Sequence, residues 1–246
     1  MITTTTTATM AGMIDLHSHI LPDIDDGPGT MRQAIAMARI AAADGITTIV
    51  ATPHIKNTLH PPQIIRAGVR RLNAALTELR IPVEIIPGAE VYALLDPLRL
   101  NSYRIGNSRY ILIEFPHTHL PRTAVSLLFQ LVARGFKPII GHPERNPSVI
   151  RNPDLLLELL SSNVQTQITA GSLTGNFGPQ VMKCARYLLE QGAVSFIASD
   201  AHSTKHRPPV LSKGINVAAG IIGRDKATAF VTSNPAAVLA GKPAFP

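Results

Sequence analysis

The sequence predicts an α/β fold in which parallel strands alternate with crossover helices to form a barrel related to the (β/α)8 form. Three observations support this prediction. Short apolar runs alternate with helical patterns, about seven such runs fit into 246 residues, and no linker or internal repeat divides them. In chain order, the candidate strands are Met13–Leu16, Thr47–Ala51, Val83–Ile86, Tyr110–Phe115, Pro138–Ile140, Val164–Ile168 and Val194–Ala198.

Helical patterns lie between these runs. Thr30 is a candidate N-cap for the first helix, and Gly45 follows its end. Proline suits the first turn of a helix, which supports helix starts at Pro62, Pro153 and Pro179. The segment Asp96–Gly106 lacks periodicity and is predicted to be a loop. The candidate helices are Met31–Ala43, Pro62–Leu79, Ala124–Arg134, Pro153–Leu160, Pro179–Gln191 and Pro209–Ile222.

Composition limits the class of protein. With 45% hydrophobic and 16% charged residues, the chain can bury a sizeable core. No apolar run approaches the roughly 18–20 residues of a membrane span. The threonine-rich start, Met1–Gly12, lacks the features of a secretory signal, so we expect a flexible tail followed by a single domain over 13–246. Cys184 is the only cysteine, which excludes an internal disulfide and fits a cytoplasmic protein.

The net charge of +7 favours an acidic partner. Nucleic acid is disfavoured because the basic residues are scattered and the chain has no tryptophan and few aromatic residues for base stacking. A phosphorylated substrate fits the same charge.

Metal-ligand residue types stand at the ends of most candidate strands. His17 and His19 are two residues apart at the end of the first strand, so both rings can face one point, and the acidic pair Asp25-Asp26 follows. In a parallel barrel the carboxyl ends of the strands meet on one face. The later strands end in His54, Glu90, Glu114, His142, and the pair Asp200 and His202.

Any one of these residues could be a hydrogen-bonded loop residue, but six strand ends with the same character favour a shared site. A second H-x-H, His117-Thr118-His119, lies between Pro116 and Pro121 and off any strand. The alternation argument does not apply there, so we interpret it as a loop at the mouth of the site. His60 and His206 are isolated and are expected at the surface.

These motifs resemble the PHP (polymerase and histidinol phosphatase) family, and more closely its bacterial protein-tyrosine phosphatases of capsule and exopolysaccharide loci. The resemblance runs from Met13 to about Leu239. Its motifs are MIDLHSHI at 13–20, DDGP at 25–28, ATPH at 51–54, PGAE at 87–90, IEFP at 113–116, GHPERN at 141–146, AGSL at 170–173 and SDAH at 199–202.

The resemblance implies a distorted (β/α)7 barrel of the PHP type that holds three divalent metal ions. It also implies that Arg145 and Arg207 contact the phosphate, and we expect Asp200 to act in catalysis as well as in metal binding. The implied metal ligands are His17, His19, Asp26, His54, Glu90, Glu114, His142, Asp200 and His202.

An all nitrogen and oxygen donor set suits Mn²⁺, which we expect most, or Fe²⁺ or Zn²⁺. A water that bridges two such metals would supply hydroxide near neutral pH for attack on phosphorus. Arginine suits phosphate because its planar fork binds two oxygens at once. A cysteine-based phosphatase needs an arginine six residues after its cysteine, and Cys184 has Glu190 there.

The leading hypothesis is therefore a metal-dependent protein-tyrosine phosphatase. The resemblance suggests that its substrate is an autophosphorylating bacterial tyrosine kinase of polysaccharide synthesis, and an oligomer is compatible with the sequence. The alternatives are another PHP phosphoesterase that acts on histidinol phosphate or a nucleotide phosphodiester, an amidohydrolase, and a non-catalytic metal-binding module. The paired arginines favour a phosphate substrate over the amidohydrolase.

Overall fold

The computed structural model describes residues 12–56, 60–161 and 163–244, so the expected tail lies outside the described residues except for Gly12. The described strands form two sheets, with the orders β1-β2-β4 and β3-β5-β6-β7-β8-β9. All strand pairs within the two sheets are parallel, which confirms the α/β class and the parallel pairing. The strands are β1 (Met13–Ser18), β2 (Ile46–Ala51), β3 (His54–Ile55), β4 (Glu84–Pro87), β5 (Glu90–Tyr92), β6 (Tyr110–Glu114), β7 (Lys137–Gly141), β8 (Gln165–Thr169) and β9 (Phe196–Ala198).

All seven predicted strands are present within a few residues of their predicted bounds. The two additional strands, β3 and β5, are short and follow β2 and β4 after brief interruptions. Pro53 lies in the first interruption, where it cannot donate to a ladder. Gly88 lies in the second, and a Cβ at this position would come within 2.6 Å of Val50 Cγ1, so only glycine allows the close approach.

The two sheets are connected through backbone hydrogen bonds outside the strand ladders. Across the two interruptions, Gly88 N donates to Ala51 O (3.0 Å) and Glu90 N donates to Pro53 O (3.1 Å). At the other side, Asp200 N donates to His17 O and His19 N donates to Ala201 O, both at 2.8 Å. These bonds bring the end of β1 next to the segment that follows β9.

Neither sheet of the described residues is closed, so the predicted closed barrel is not confirmed. One bridge between Ser18 and Ala201 joins β1 to the segment after β9. The interruptions between β2 and β3 and between β4 and β5 separate the strands into the two sheets. The sequence pattern identifies the strands but does not report where a ladder is interrupted.

All six predicted helices have a counterpart in the predicted order, although Pro153–Leu160 is shortened to Asp154–Leu157. The described residues also contain four short helices that were not predicted: Pro147–Arg151, Ala170–Leu173, Arg224–Ala229 and Ser233–Leu239. Asn146 caps the first of these and Asn152-Pro153 ends it. The predicted loop Asp96–Gly106 contains two short 3₁₀ turns, Pro97–Arg99 and Asn101–Tyr103. The α-helices are α1 (Met31–Ala43), α2 (Pro62–Glu78), α3 (Ala124–Ala133), α4 (Pro147–Arg151), α5 (Asp154–Leu157), α6 (Ala170–Leu173), α7 (Pro179–Glu190), α8 (Ser212–Ile222), α9 (Arg224–Ala229) and α10 (Ser233–Leu239).

None of the described helices combines the length and the apolar character that a membrane crossing requires.

Both faces of the strands are buried, as is usual for parallel sheets. Ile111 and Ile113 of β6 pack in the larger core cluster, whereas Leu112 between them packs in a smaller one. This smaller cluster also contains Leu16 of β1 and Phe196 of β9, so it joins residues from both sheets. Apolar packing on both faces therefore holds the strands and their carboxyl ends in place.

Candidate active site

The carboxyl ends of the strands bring together all nine residues that the resemblance implies as metal ligands. Within each of four overlapping groups, the candidate ligand atoms lie within 4.8 Å of one another. The four groups are His19, Asp26, His54 and His202; His17, Glu90 and His142; His17, His19 and Asp200; and His54, Glu90 and Glu114.

His17 and His19 extend from the end of β1 toward the same point, and their Nε2 atoms are 3.2 Å apart. The other nitrogen of each ring has a buried partner. His17 Nδ1 lies 2.8 Å from Gln167 Oε1, and His19 Nδ1 lies 2.6 Å from Asp25 Oδ2. A ring that donates from Nδ1 presents Nε2 as an acceptor, so both rings are oriented for a cation at Nε2.

Glu90 lies at the centre of the cluster. Its Oε2 atom is 2.9 Å from His54 Nδ1, 3.3 Å from His19 Nε2 and 3.4 Å from His17 Nε2. Its Oε1 atom is 2.6 Å from His142 Nε2. Burial alone would raise the pKa of Glu90, but the facing His17 and His142 outweigh it and hold this pKa well below the ordinary value.

Asp26 and Glu114 stand at two edges of the cluster. Asp26 Oδ1 is 3.3 Å from His202 Nε2 and 3.7 Å from His54 Nε2, and 63% of the Asp26 side chain is exposed. Glu114 is buried, and its Oε1 atom is 3.8 Å from His142 Nε2. The cluster therefore extends from a buried centre to an edge in contact with solvent.

The donor set fits divalent cations. It consists of five imidazoles and four carboxylates and contains no thiolate. Two buried carboxylate oxygens, Glu90 Oε2 and Glu114 Oε1, accept no hydrogen bond from the described residues. Burial and the nearby charge of Glu90 raise the pKa of Glu114 to about 7. Acidic groups this crowded require positive charge among them, which divalent ions would supply.

Two arginines lie on one side of the cluster. Arg145 Nη2 and Arg207 Nη2 both donate to Asp200 Oδ2. The Phe177 ring is flanked by both guanidinium groups, 4.7 Å from its centroid for Arg145 and 5.8 Å for Arg207. The Nε atoms of both arginines have no hydrogen-bond partner among the described residues. The pair therefore keeps donors for an anion that lies next to Asp200.

The backbone at two of these residues is in the left-handed region. His142 has φ 33° and Asp200 has φ 51°, and each follows the end of a strand. Such conformations are unfavourable for residues other than glycine and are frequent at functional sites. The turn after His142 is fixed by buried Glu144, which accepts from Thr169 N at 3.0 Å and from Ser172 Oγ at 2.6 Å. This turn carries Arg145.

Comparison with known proteins agrees with the geometry. The family model described as capsular polysaccharide synthesis, CpsB/CapC, matches residues 13–240. The chain belongs to the CpsB/CapC family. The matched region contains all nine candidate ligands and both arginines.

Curated members of the CpsB/CapC family are similar to this chain over most of their length. The tyrosine-protein phosphatase YwqE of Bacillus subtilis is 42% identical over 201 residues, which is 79% of each protein. The tyrosine-protein phosphatase CpsB of Streptococcus pneumoniae is 32% identical over 238 residues, 92% of this chain and 98% of CpsB.

Solved structures extend this similarity to the fold. A chain from the crystal structures of YwqE and CpsB, described as unique metal-dependent tyrosine phosphatases, matches with a TM-score of 0.89 at 37% identity. The match covers 95% of this chain and 96% of the other. The lactonase Lmo2620 from Listeria monocytogenes has a TM-score of 0.60 at 12% identity, over 94% of this chain and 95% of the lactonase, and shares the fold alone.

Sequence reasoning missed several residues that orient the cluster of this CpsB/CapC member. Asp25, the neighbour of the predicted ligand Asp26, contacts His19 and accepts from His54 N (3.0 Å) and Gly27 N (3.1 Å). Asp25 therefore holds the His19 ring and the backbone at His54 in position. The Asp25-x-Gly27 turn is a local signal for this role. Gln167 left only a weak signal, a polar residue inside a buried strand.

Asp15 is a third missed residue. Its carboxylate is fully buried and accepts from Ser199 N (2.9 Å), Ser199 Oγ (2.5 Å) and His17 N (3.3 Å). Burial raises the pKa of Asp15 to about 6, although the hydrogen bonds from Ser199 oppose that rise. Asp15 thus ties β1 to the segment that carries Asp200.

The second H-x-H lies in a turn after β6, as predicted, and outside the four groups of candidate ligands. His117 Nε2 is 3.1 Å from Glu114 Oε1, but 66% of its side chain is exposed. His119 Nδ1 is 2.9 Å from Thr118 Oγ1. Of the two isolated histidines, His206 is exposed and His60 is half-buried.

Proposed function

We propose that this chain is a metal-dependent protein-tyrosine phosphatase, a phosphoric monoester hydrolase. The observation that carries the proposal is a cluster of nine nitrogen and oxygen donors with two arginines on one side, both bonded to Asp200. The tyrosine-protein phosphatases among its relatives support it. The same donors would also suit another phosphoesterase, but no contact among the described residues favours histidinol phosphate or a nucleotide phosphodiester as the substrate.

We propose three divalent ions, with Mn²⁺ preferred and Fe²⁺ or Zn²⁺ as alternatives, bound by the nine clustered residues. When bound, these ions would stabilise negative charge on the phosphate and make a bound water more acidic. Gln167 and Asp25 would hold His17 and His19 in the orientation that presents Nε2. Glu90, which contacts four histidines, would be a ligand at the centre of the cluster.

Arg145 and Arg207 would bind the phosphate, and Asp200 would hold them in position while it also serves as a ligand. Charge-assisted bonds from two guanidinium groups orient three phosphate oxygens and stabilise the charge that develops in the transition state. The leaving group is a tyrosine phenol with an ordinary pKa of about 10, so it needs less protonation than an alkyl alcohol.

A cysteine nucleophile is disfavoured by the structure of α7. Cys184 is buried, and its Sγ atom lies 3.9 Å from Val149 O. Burial raises the pKa of the Cys184 thiol to about 12, so the thiolate that such chemistry needs is scarce at neutral pH.

We propose further that the domain spans 13–246 as one unit and that the two sheets act as a distorted (β/α)7 barrel. The core cluster shared by Leu16 and Phe196 and the bridge between Ser18 and Ala201 support this. We also propose a cytoplasmic enzyme that acts on a tyrosine kinase of polysaccharide synthesis; the family description, capsular polysaccharide synthesis, supports the polysaccharide setting. The net charge of +7 suits an anionic phosphorylated segment of that kinase.

The proposal is tested with purified full-length protein. Protein supplied with Mn²⁺ should hydrolyse p-nitrophenyl phosphate and a phosphotyrosyl peptide, and elemental analysis of the active protein should find the metal. Inactivity with Mn²⁺, Fe²⁺, Co²⁺ and Zn²⁺ alike would refute the phosphatase function, and an intact metal content in that inactive protein would favour a binding module.

The arginine pair provides a sharper test. Arg145→Ala should lower kcat/KM on the phosphotyrosyl peptide by about 10²-fold or more, because it removes a donor to the transition state. Arg151→Ala, at an exposed residue that ends α4, makes the same change in net charge and should leave kcat/KM unchanged. Equal effects of the two variants would contradict a phosphate-binding role for Arg145.

A further inference from the structure

A cavity of about 360 Å³ lies beside Arg207. Its wall includes Arg207 and Ser199, which belong to the site described above, and extends to Phe177, Asn176 and Lys213. Cavities of this size commonly bind small ligands. The cavity therefore adjoins the candidate active site at Arg207 and Ser199.

The position of the arginines relates this cavity to the reacting phosphate. The guanidinium groups of Arg145 and Arg207 contact Asp200 and also lie near the Phe177 ring. Phe177 and Arg207 both line the cavity, so a phosphate held by these arginines would lie next to it. In an in-line displacement the leaving group departs on the side opposite the attacking water, and the cavity offers space for a phenol that departs away from the clustered donors.

A second cavity borders the other arginine but is too small for a substrate group. It lies against Arg145, His142 and His117, and its volume is about 20 Å³. A volume of this size holds about one water molecule. Of these two cavities, only the one beside Arg207 has room for a phenol ring and a neighbouring side chain.

The larger cavity is also cationic. Arg207 and Lys213 line it, and its described lining contains no aspartate or glutamate. Lys213 is exposed in the first turn of α8 and makes no ion pair with the described residues. Asp44, which contacts the start of α8, accepts from Leu211 N (2.7 Å) and Ser212 N (3.0 Å). Lys213 is therefore free to pair with an anion in the cavity.

We propose that this cavity receives the phosphotyrosyl ring and an anionic side chain next to it in the substrate. Phe177 contacts the ring, and Lys213 pairs with the flanking anion. This inference rests on the proposed phosphatase function and adds a substrate preference to it: phosphotyrosine beside a carboxylate or a second phosphate is favoured over phosphotyrosine beside neutral residues.

The test for Lys213 uses three peptides in which phosphotyrosine is flanked by alanines, by glutamates or by phosphoserines. Metal-loaded wild-type protein should favour an anionic peptide over the alanine peptide by about two- to five-fold in kcat/KM, the range of an exposed ion pair. The preference should decline as salt is added. The anionic peptide with the larger preference identifies the source of the charge.

Lys213→Glu should abolish or invert this preference, measured as the ratio of kcat/KM for an anionic peptide to that for the alanine peptide. Lys226→Glu, on exposed α9, carries the same charge change and should keep the wild-type preference. A preference that is absent in the wild type, or equal in both variants, would overturn the assignment. Failure to hydrolyse any phosphotyrosyl peptide would refute the phosphatase function instead, so the two failures are distinguishable.

The ring contact has a separate test. Phe177→Leu should lower the ratio of kcat/KM for a phosphotyrosyl peptide to that for a matched phosphoseryl peptide, by about three-fold or more, because an aromatic contact is lost. The preference for flanking anions should remain in this variant. An unchanged ratio would exclude Phe177 from contact with the ring.

Discussion

The chain carries two His-x-His pairs, and the fold treats them differently. His17 and His19 extend from the end of β1, are buried, and meet at their Nε2 atoms. His117 and His119 lie in a turn after β6 and are both exposed. His117 reaches only one acid of the cluster, Glu114.

The backbone around a His-x-His motif therefore determines which contacts its two rings can make. In a strand, residues two apart project to the same side, so the first pair converges without further adjustment. Pro116 and Pro121 flank the second pair and keep it out of any ladder. The first pair also has buried partners at Nδ1, Gln167 and Asp25, whereas the second has an exposed threonine hydroxyl.

The largest effect is expected from the first pair itself. His19→Ala should lower kcat on p-nitrophenyl phosphate by about 10³-fold or more, since loss of a direct donor should exceed the 10–100-fold typical of an outer partner. Elemental analysis should find less bound metal in the variant. Activity close to that of the wild type would contradict the assignment of the first pair, rather than the second, to the metal site.

The partner of His19 gives the next effect. Asp25→Asn keeps the size of the side chain but replaces the charged acceptor of His19 Nδ1 with a neutral one, so the ring of His19 is oriented less strongly. The apparent affinity for Mn²⁺ should fall by about 10–100-fold, and high Mn²⁺ should restore much of the activity. Asp23→Asn, two residues away and exposed, is the matched control and should behave as the wild type. Equal affinities in the two variants would show that Asp25 does not position His19.

The partner of His17 should matter less because it is neutral. Gln167→Ala should lower the apparent Mn²⁺ affinity by about 10-fold or less, near the lower end of the range for such partners. Titration of activity with Mn²⁺ measures this effect. A loss larger than that of Asp25→Asn would contradict the view that a charged partner orients a histidine more strongly than a neutral one.

The smallest effect is expected from the second pair. His117→Ala removes an exposed contact with Glu114 and should change kcat/KM on the phosphotyrosyl peptide by about three-fold or less. His119→Ala should have no measurable effect. If His117→Ala lowered activity nearly as much as His19→Ala, the second pair would belong to the site, and the two pairs would not differ in function.

Several features of the site were accessible from the sequence. The ligand-type residues at strand ends, together with Asp26 from the family resemblance, make nine side chains that the fold brings together, and their roles as ligands stay a prediction. Other features were not accessible. The sequence pointed to Asp26 within the acidic pair, but it did not indicate that Asp25 is the acid that contacts His19 and the His54 backbone. It also gave no sign that Phe177 would lie near both arginines.

By itself the sequence determined the parallel α/β class, most strand and helix positions and the convergence of His17 and His19, because these follow from local periodicity. Only the tertiary structure decided where the ladders are interrupted, which partners orient the histidines, and which cavity adjoins the arginines. The contact between His17 and Gln167 spans 150 positions of the chain. Such a contact depends on the order and register of the strands, and no local pattern of residues records them.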